Sequence, residues 1–176
     1  MANREALREL QTRLANRLKA ARTEGVSVSW LAVRAGEGNY LFPLALSGEI
    51  FPLTSLQVVP YSRQWFMGVI NLRGGLYGVV DLARFMAIGT APVRTEQSLA
   101  ESSVITFNSA LELNCAVMVD GLAGLRKREA FSEAVAPPAG SPVYFGNKFT
   151  DLSGVQWQEI NLRTLSQFPE FLSISA

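Results

Sequence analysis

Trp65-Phe66-Met67-Gly68-Val69-Ile70-Asn71-Leu72-Arg73-Gly74-Gly75-Leu76-Tyr77-Gly78-Val79-Val80-Asp81-Leu82 is the stretch on which the reading of the fold turns. Two apolar runs flank a Gly-Gly dipeptide, which supplies the positive φ a tight hairpin needs, so the stretch predicts two paired strands around a turn at Gly74 and Gly75. Arg73 stands at the mouth of that turn, where its fork of donors suits a partner's carboxylate or carbonyl groups; a solvated hairpin arginine is the plain alternative. Trp65, Phe66 and Met67 read as core or as partner contact.

Upstream, Val26, Val28 and Trp30 alternate with serines, and Gly36-Glu37-Gly38-Asn39 turns the chain into Tyr40-Leu41-Phe42, a second β-hairpin. Pro43 and Pro52 make residues 43–60 edge, turn and irregular structure. From Arg4 to Arg22, Leu7, Leu10, Leu14 and Leu18 recur at helical spacing, which predicts an amphipathic helix ended by Gly25. Its apolar stripe is narrow and lacks Trp or Phe, which favours packing on the body or on a partner over a membrane surface.

Downstream, Leu82 to Met86 suits one or two helical turns, stopped by Gly89-Thr90-Ala91-Pro92, and Arg94 to Ser102 reads as a polar crossing linker. A second β block runs through Ser103–Phe107, turns at Asn108-Ser109 and returns through Leu111–Val119 to Asp120-Gly121. Glu133 to Pro142 is an exposed loop, Val143–Phe149 and Val155–Ile160 a last strand pair, and Asn161–Phe168 a short helix. Short strands at such intervals indicate a β-sandwich or barrels.

A chain of 176 residues, 48% hydrophobic and 18% charged, supports one compact body. Its net charge of +1 offers no field for a phosphate backbone, although residues 1–24 carry net +3 against −2 elsewhere. The absence of histidine removes Ser-His-Asp and Cys-His triads, His metal sites and the commonest general base. The lone Cys115, in an apolar run, reads as a buried thiol in a reducing compartment. No run is long enough to span a bilayer and no apolar leader opens the chain, so a cytoplasmic location is expected.

Gly68, Gly74, Gly75 and Gly78 fit no phosphate-binding pattern, so no cofactor or metal site is expected. Asp81 and Asp120 each close an apolar run and read as caps or turn acceptors; an enzyme reading would need them to converge with Lys148 in a pocket.

Gly68 to Gly74, followed by Val79-Val80-Asp81-Leu82, resembles the signature hairpin of the CheW-like domain of bacterial chemosensory adaptors. The resemblance extends from about Trp30 to Phe168 and takes in Val58-Val59-Pro60 and Ala116-Val117-Met118-Val119-Asp120. It implies an all-β fold of two five-stranded SH3-like barrels around a shared core, spanning 26–172, with the second-barrel segment at about 100–155 and chain exchange near the ends. To this the chain adds the amphipathic helix at 1–24 and short helices. It further implies a non-catalytic adaptor that bridges a methyl-accepting receptor's cytoplasmic tip and a CheA-type histidine kinase's regulatory domain, in the cytoplasm at membrane receptor complexes. Carried over by position, Val69, Ile70, Asn71, Leu72 and Arg73 face the receptor, while Gly68, Gly74, Gly75 and Asp81 shape turns. The added helix and Ser47-Gly48-Glu49-Ile50 between prolines look more like the branch serving type IV pilus twitching motility than the flagellar one. A peripheral membrane module and an enzyme of unfamiliar class are the competing readings.

Overall fold

The computed structural model describes residues 2–23, 28–87 and 90–176. After helix α1 (Ala2–Thr23) the chain forms β1 (Ser29–Ala35), β2 (Gly38–Pro43) and β3 (Ser47–Pro52), then the hairpin of β4 (Phe66–Leu72) and β5 (Gly75–Asp81). Helices α2 (Leu82–Met86) and α3 (Glu96–Glu101) lead to β6 (Ser103–Phe107), β7 (Cys115–Val119), β8 (Gly121–Lys127), β9 (Phe131–Val135), β10 (Phe145–Asp151) and β11 (Gln156–Ile160). Helices α4 (Leu162–Ser166) and α5 (Pro169–Leu172) follow.

The strands form two sheets, in the order β8-β1-β2-β11-β10-β9 and β3-β6-β7-β5-β4. The β1–β2 hairpin therefore joins strands whose paired residues come 87–98 positions later in β8 and 118 later in β11, and the chain's first strands lie in the second barrel. β6 and β7 lie with β3, β4 and β5, so the second barrel's later segment begins at Gly121 and not near residue 100, and its sheet has six strands instead of five. Sequence patterning missed β8 and β9. All of β8 up to its exposed end is half-buried, and β9 is exposed after Phe131, so neither shows a clean alternation. The loop expected from Glu133 therefore starts two residues inside the β9 half of the ladder to β10. The expected linker at 94–102 contains α3, opened by a capping box at Thr95 and Ser98. Gly25, Val26 and Gly89, read as a helix stop, a strand residue and a second stop, lie outside the described residues.

Three apolar clusters account for these placements. Ile70, Leu72, Val79, Val104, Ala116 and Met118 fill one barrel. Trp30, Ala32, Leu41, Phe131, Phe149 and Trp157 fill the other, with the Trp30 and Phe149 rings 4.8 Å apart. Between them lies a larger joint core with Leu31, Val33 and Phe42 on one side and Val80, Ile105 and Val117 on the other. β6 and β7 are buried along their whole length because one face meets a barrel interior and the other the joint core, which is why they read as continuous apolar runs.

Helix α1 packs on β3 and β8, one strand from each sheet. Leu14 and Leu18 enter the joint core, and Gln11 Nε2 donates to Ser103 Oγ at 2.5 Å. Leu10, expected on the same stripe, is 45% exposed, so only the second half of the helix is seated by its leucines. Among the described residues no helix is long and apolar enough to cross a membrane.

This seating makes a contrast measurable by urea denaturation. Leu18→Ala should lower stability by about 2–4 kcal/mol, as expected for a fully buried leucine, whereas Leu10→Ala should cost under about 1 kcal/mol. Equal losses would place the helix differently.

Candidate functional site

The β4–β5 hairpin is regular because its alternation matches its surroundings. Ile70 and Leu72 point into the barrel, while Val69 is half-buried at the joint core and Asn71 is exposed. Leu72 pairs with Gly75, so the two-residue turn is Arg73-Gly74 and not Gly74-Gly75. Both turn residues have positive φ, +49° at Arg73 and +81° at Gly74, the geometry of a type I′ turn. The Gly74 N–H donates to Asn71 Oδ1 at 3.0 Å, which closes the turn.

Arg73 thus occupies a left-handed position that a non-glycine residue adopts at a cost of roughly 1–2 kcal/mol. Its side chain leans back over β3: Nη2 lies 3.1 Å from Glu49 Oε2, and the guanidinium stands over the Phe51 ring at 5.7 Å. The side chain remains 62% exposed, so the ion pair holds its direction without sealing it. Glu49 is a partner the sequence hid, since it sits on an edge strand that was read as irregular.

The five residues expected on the partner surface therefore separate. Ile70, 1% exposed, and Leu72, 7% exposed, face the barrel interior and cannot touch a partner; the two-residue period of a strand that begins with a buried face forces this correction. Asn71 and Arg73 are exposed, and Val69 is half-buried against the joint core. Leu76, opposite Asn71, is 61% exposed, and Val58, next to the segment that pairs with β4, is 73% exposed. Neither was assigned to the partner surface from sequence, although Val58 belongs to the Val58-Val59-Pro60 stretch of the resemblance.

Gly68 is not in the turn. It sits at a register shift in β4 with φ +131°, and a Cβ there would lie 2.1 Å from the Gln57 carbonyl oxygen. That approach lets Gln57 and Val69 exchange two backbone hydrogen bonds of 2.9 and 2.8 Å, which cover the outer edge of β4. Gly75 is likewise a strand residue, not a turn-former. Trp65 and Phe66 belong to the core: Trp65 stacks on Phe171 and meets Phe85 edge-on, and Phe66 is buried.

Asp81 ends β5 fully buried. Its Oδ1 accepts from the Arg84 N–H, capping α2, and the carboxylate receives Arg94 in a fork, Nε to Oδ2 at 2.6 Å and Nη2 to Oδ1 at 2.5 Å. The remaining arm of Arg94, Nη1, donates to Asp120 Oδ1, and Asp120 Oδ2 accepts from the Gly36 N–H at 2.5 Å. Burial works against the charge of Arg94, but the hydrogen bonds and charge of Asp81 and then Asp120 outweigh it and raise its pKa. The two carboxylates of the enzyme reading do converge, yet on a guanidinium instead of a pocket, and Lys148 is exposed on β10 in the other sheet. Among the described residues no group of three potential metal ligands is assembled. Cys115 is buried, and desolvation pushes its thiol up to about 12.

The family model for the CheW-like domain matches residues 29–141. Protein PilI of Pseudomonas aeruginosa is 26% identical over 127 residues, covering 71% of this chain and 68% of that protein. The crystal structure of scaffolding protein TtCheW from Thermoanaerobacter tengcongensis superposes with a TM-score of 0.58 at 16% identity, covering 77% of this chain and 89% of that one.

Two chemical tests check this geometry. Gly68→Ala should cost about 2–5 kcal/mol, because strain adds to a backbone clash that cannot relax, whereas Gly74→Ala, with open space around it, should cost only about 1 kcal/mol. A thiol reagent at pH 8 should leave Cys115 unmodified in the folded protein and modify it fully in denaturant; rapid native labelling would contradict its burial.

Proposed function

Because the chain belongs to the CheW-like domain family, we propose that it is a non-catalytic adaptor that couples a methyl-accepting chemosensory receptor to a CheA-type histidine kinase. The observation that carries this reading is the accessible side of the β4–β5 hairpin. An exposed guanidinium held in direction by Glu49 at the turn, with Asn71 and Leu76 exposed on the hairpin and Val58 on the segment paired with β4, gives aliphatic area and one arginine suited to a protein partner. The docking residues of this reading are Val69, Asn71 and Arg73; Ile70 and Leu72 serve it by holding the strand in register. The partners are a receptor's cytoplasmic tip and a kinase's regulatory domain, and the location is the cytoplasm at receptor complexes.

Control of type IV pilus twitching motility is the output this reading favours. Similarity to Protein PilI supports it, together with the basic α1 that precedes the matched domain.

The test is co-purification of the full chain with each candidate partner. Arg73→Glu should weaken binding at least about 30-fold, the scale of a hot-spot residue, with a thermal midpoint within a few degrees of wild type. Lys148→Glu, on the other barrel, should bind normally. Ile70→Ala should instead lose about 2–4 kcal/mol of stability. Wild-type binding of both partners by Arg73→Glu would reject the hairpin as the docking element.

A further inference from the structure

A cavity of about 410 Å³ lies at the end of β4 away from the Arg73 turn, within the roughly 300–1,000 Å³ of small-molecule sites. Four segments of the chain meet there: Arg63 and Trp65 before β4, Phe85 of α2, Tyr144 before β10 and Glu170 of α5. The rings are fixed from behind. Phe85 meets Trp65 edge-on at 5.1 Å and Tyr144 at 6.0 Å, and the buried Phe171 backs both Trp65 and Phe85.

Three polar groups on these walls keep unused capacity. Tyr144 is only 7% exposed, yet among the described residues its hydroxyl has no hydrogen-bond partner. No fully buried side-chain polar atom of the described residues is unsatisfied, so that hydroxyl is reached by solvent, and the cavity is the opening that Tyr144 lines. Burial first, then the charges of Glu170 and Tyr40, raise the pKa of Tyr144 and keep the hydroxyl protonated. Arg63 is positioned by the last residues of the chain: its N–H donates to the Ile174 carbonyl at 2.8 Å and its Nε to the Ser175 carbonyl at 3.1 Å. Its two Nη groups have no partner among the described residues, and neither does the exposed carboxylate of Glu170, so the two charges line one cavity without neutralising each other.

A lone cation there is repelled by Arg63 and a lone anion by Glu170. A molecule that carries both charges and an apolar group satisfies every wall. We propose that this cavity binds a free α-amino acid with an apolar or aromatic side chain, its carboxylate on Arg63, its ammonium on Glu170 and the Tyr144 oxygen, and its side chain on Trp65 and Phe85. The site is separate from the docking face of the β4–β5 hairpin, which lies toward the other end of β4.

Titration of the full chain with L-phenylalanine, followed by tryptophan fluorescence, tests this. Trp30 and Trp157 are buried inside the other barrel, so Trp65 is the tryptophan the ligand reaches. Emission should change saturably, with a Kd of about 1 mM or tighter. Phenethylamine and phenylpropanoate, each lacking one of the two charges, should bind at least about fivefold more weakly. L-Phenylalanine should lose affinity to the same extent for Glu170→Gln and Arg63→Gln, both at exposed positions and both with thermal midpoints within a few degrees of wild type. If Arg63→Gln loosens the last residues of the chain, Glu170→Gln and the two analogues still decide the matter. The absence of a saturable response to L-phenylalanine overturns the proposal. So does either analogue binding as tightly as the amino acid, or unaltered affinity in Glu170→Gln.

Discussion

The joint core between the two sheets is the constraint from which the rest follows. Among the described residues each barrel interior contains six buried apolar residues, whereas the joint core contains twenty-two, drawn from both sheets and from four of the helices. Most of the buried apolar residues that offset the ordering entropy of the strands thus lie between the barrels and not inside either one. The exchange of the β1–β2 hairpin makes the dependence covalent as well, since the second barrel's sheet is completed by strands that precede the first. The two sheets therefore form one cooperative body, and any surface element inherits its rigidity from a core that lies behind both.

That rigidity gives the β4–β5 hairpin its character. A docking element on a strand can offer only alternate residues, because the others hold the strand to the body. Here Ile70 and Leu72 hold, Val69 is half-buried against the joint core, and Asn71 is left to the outside. Arg73 escapes the alternation by standing in the turn. Its left-handed backbone is tolerated because Gly74 and the Asn71 side chain over-determine the turn, and Glu49 and Phe51 then aim the guanidinium. The backbone conformation and the ion pair both restrict the arginine's direction, which would lower the ordering cost of the proposed docking.

Much of this was legible in the sequence. The Gly68–Leu82 string led to the hairpin, α2 and the family, and the apolar run ending at Val119 to the returning strand of the second β block. What stayed hidden has physical reasons. β8 and β9 carry an Arg-Lys-Arg-Glu run between them and lack clean alternation, because one packs at a corner between two cores and the other is an edge. The turn was displaced by one residue because Gly74-Gly75 satisfies the rule for positive φ better than Arg73-Gly74 does, and register with Leu72 overrides that preference. Ile70 and Leu72 were assigned to the surface because a motif marks a stretch without saying which face of the strand each residue takes. Arg94 was passed over in a polar linker, since nothing local distinguishes a solvated arginine from one whose acidic partners lie 13 and 26 residues away.

That arginine also bears on how the two barrels are set against each other. Apolar contact across the joint core is non-directional and tolerates sliding of one sheet on the other. The Asp81–Arg94–Asp120 set does not, because a guanidinium fork accepts its carboxylate in one plane and Asp120 simultaneously holds the backbone of the exchanged hairpin at Gly36. Buried ion pairs of this sort add little net stability over apolar residues of equal volume, since desolvation offsets most of the attraction. What this one adds is registry: Asp81 ends a strand of one sheet, Asp120 lies at the crossing into the other, and Gly36 belongs to the hairpin that changed sheets. The hydrophobic clusters decide that the two barrels are joined, and the charged set decides at which relative position they stop.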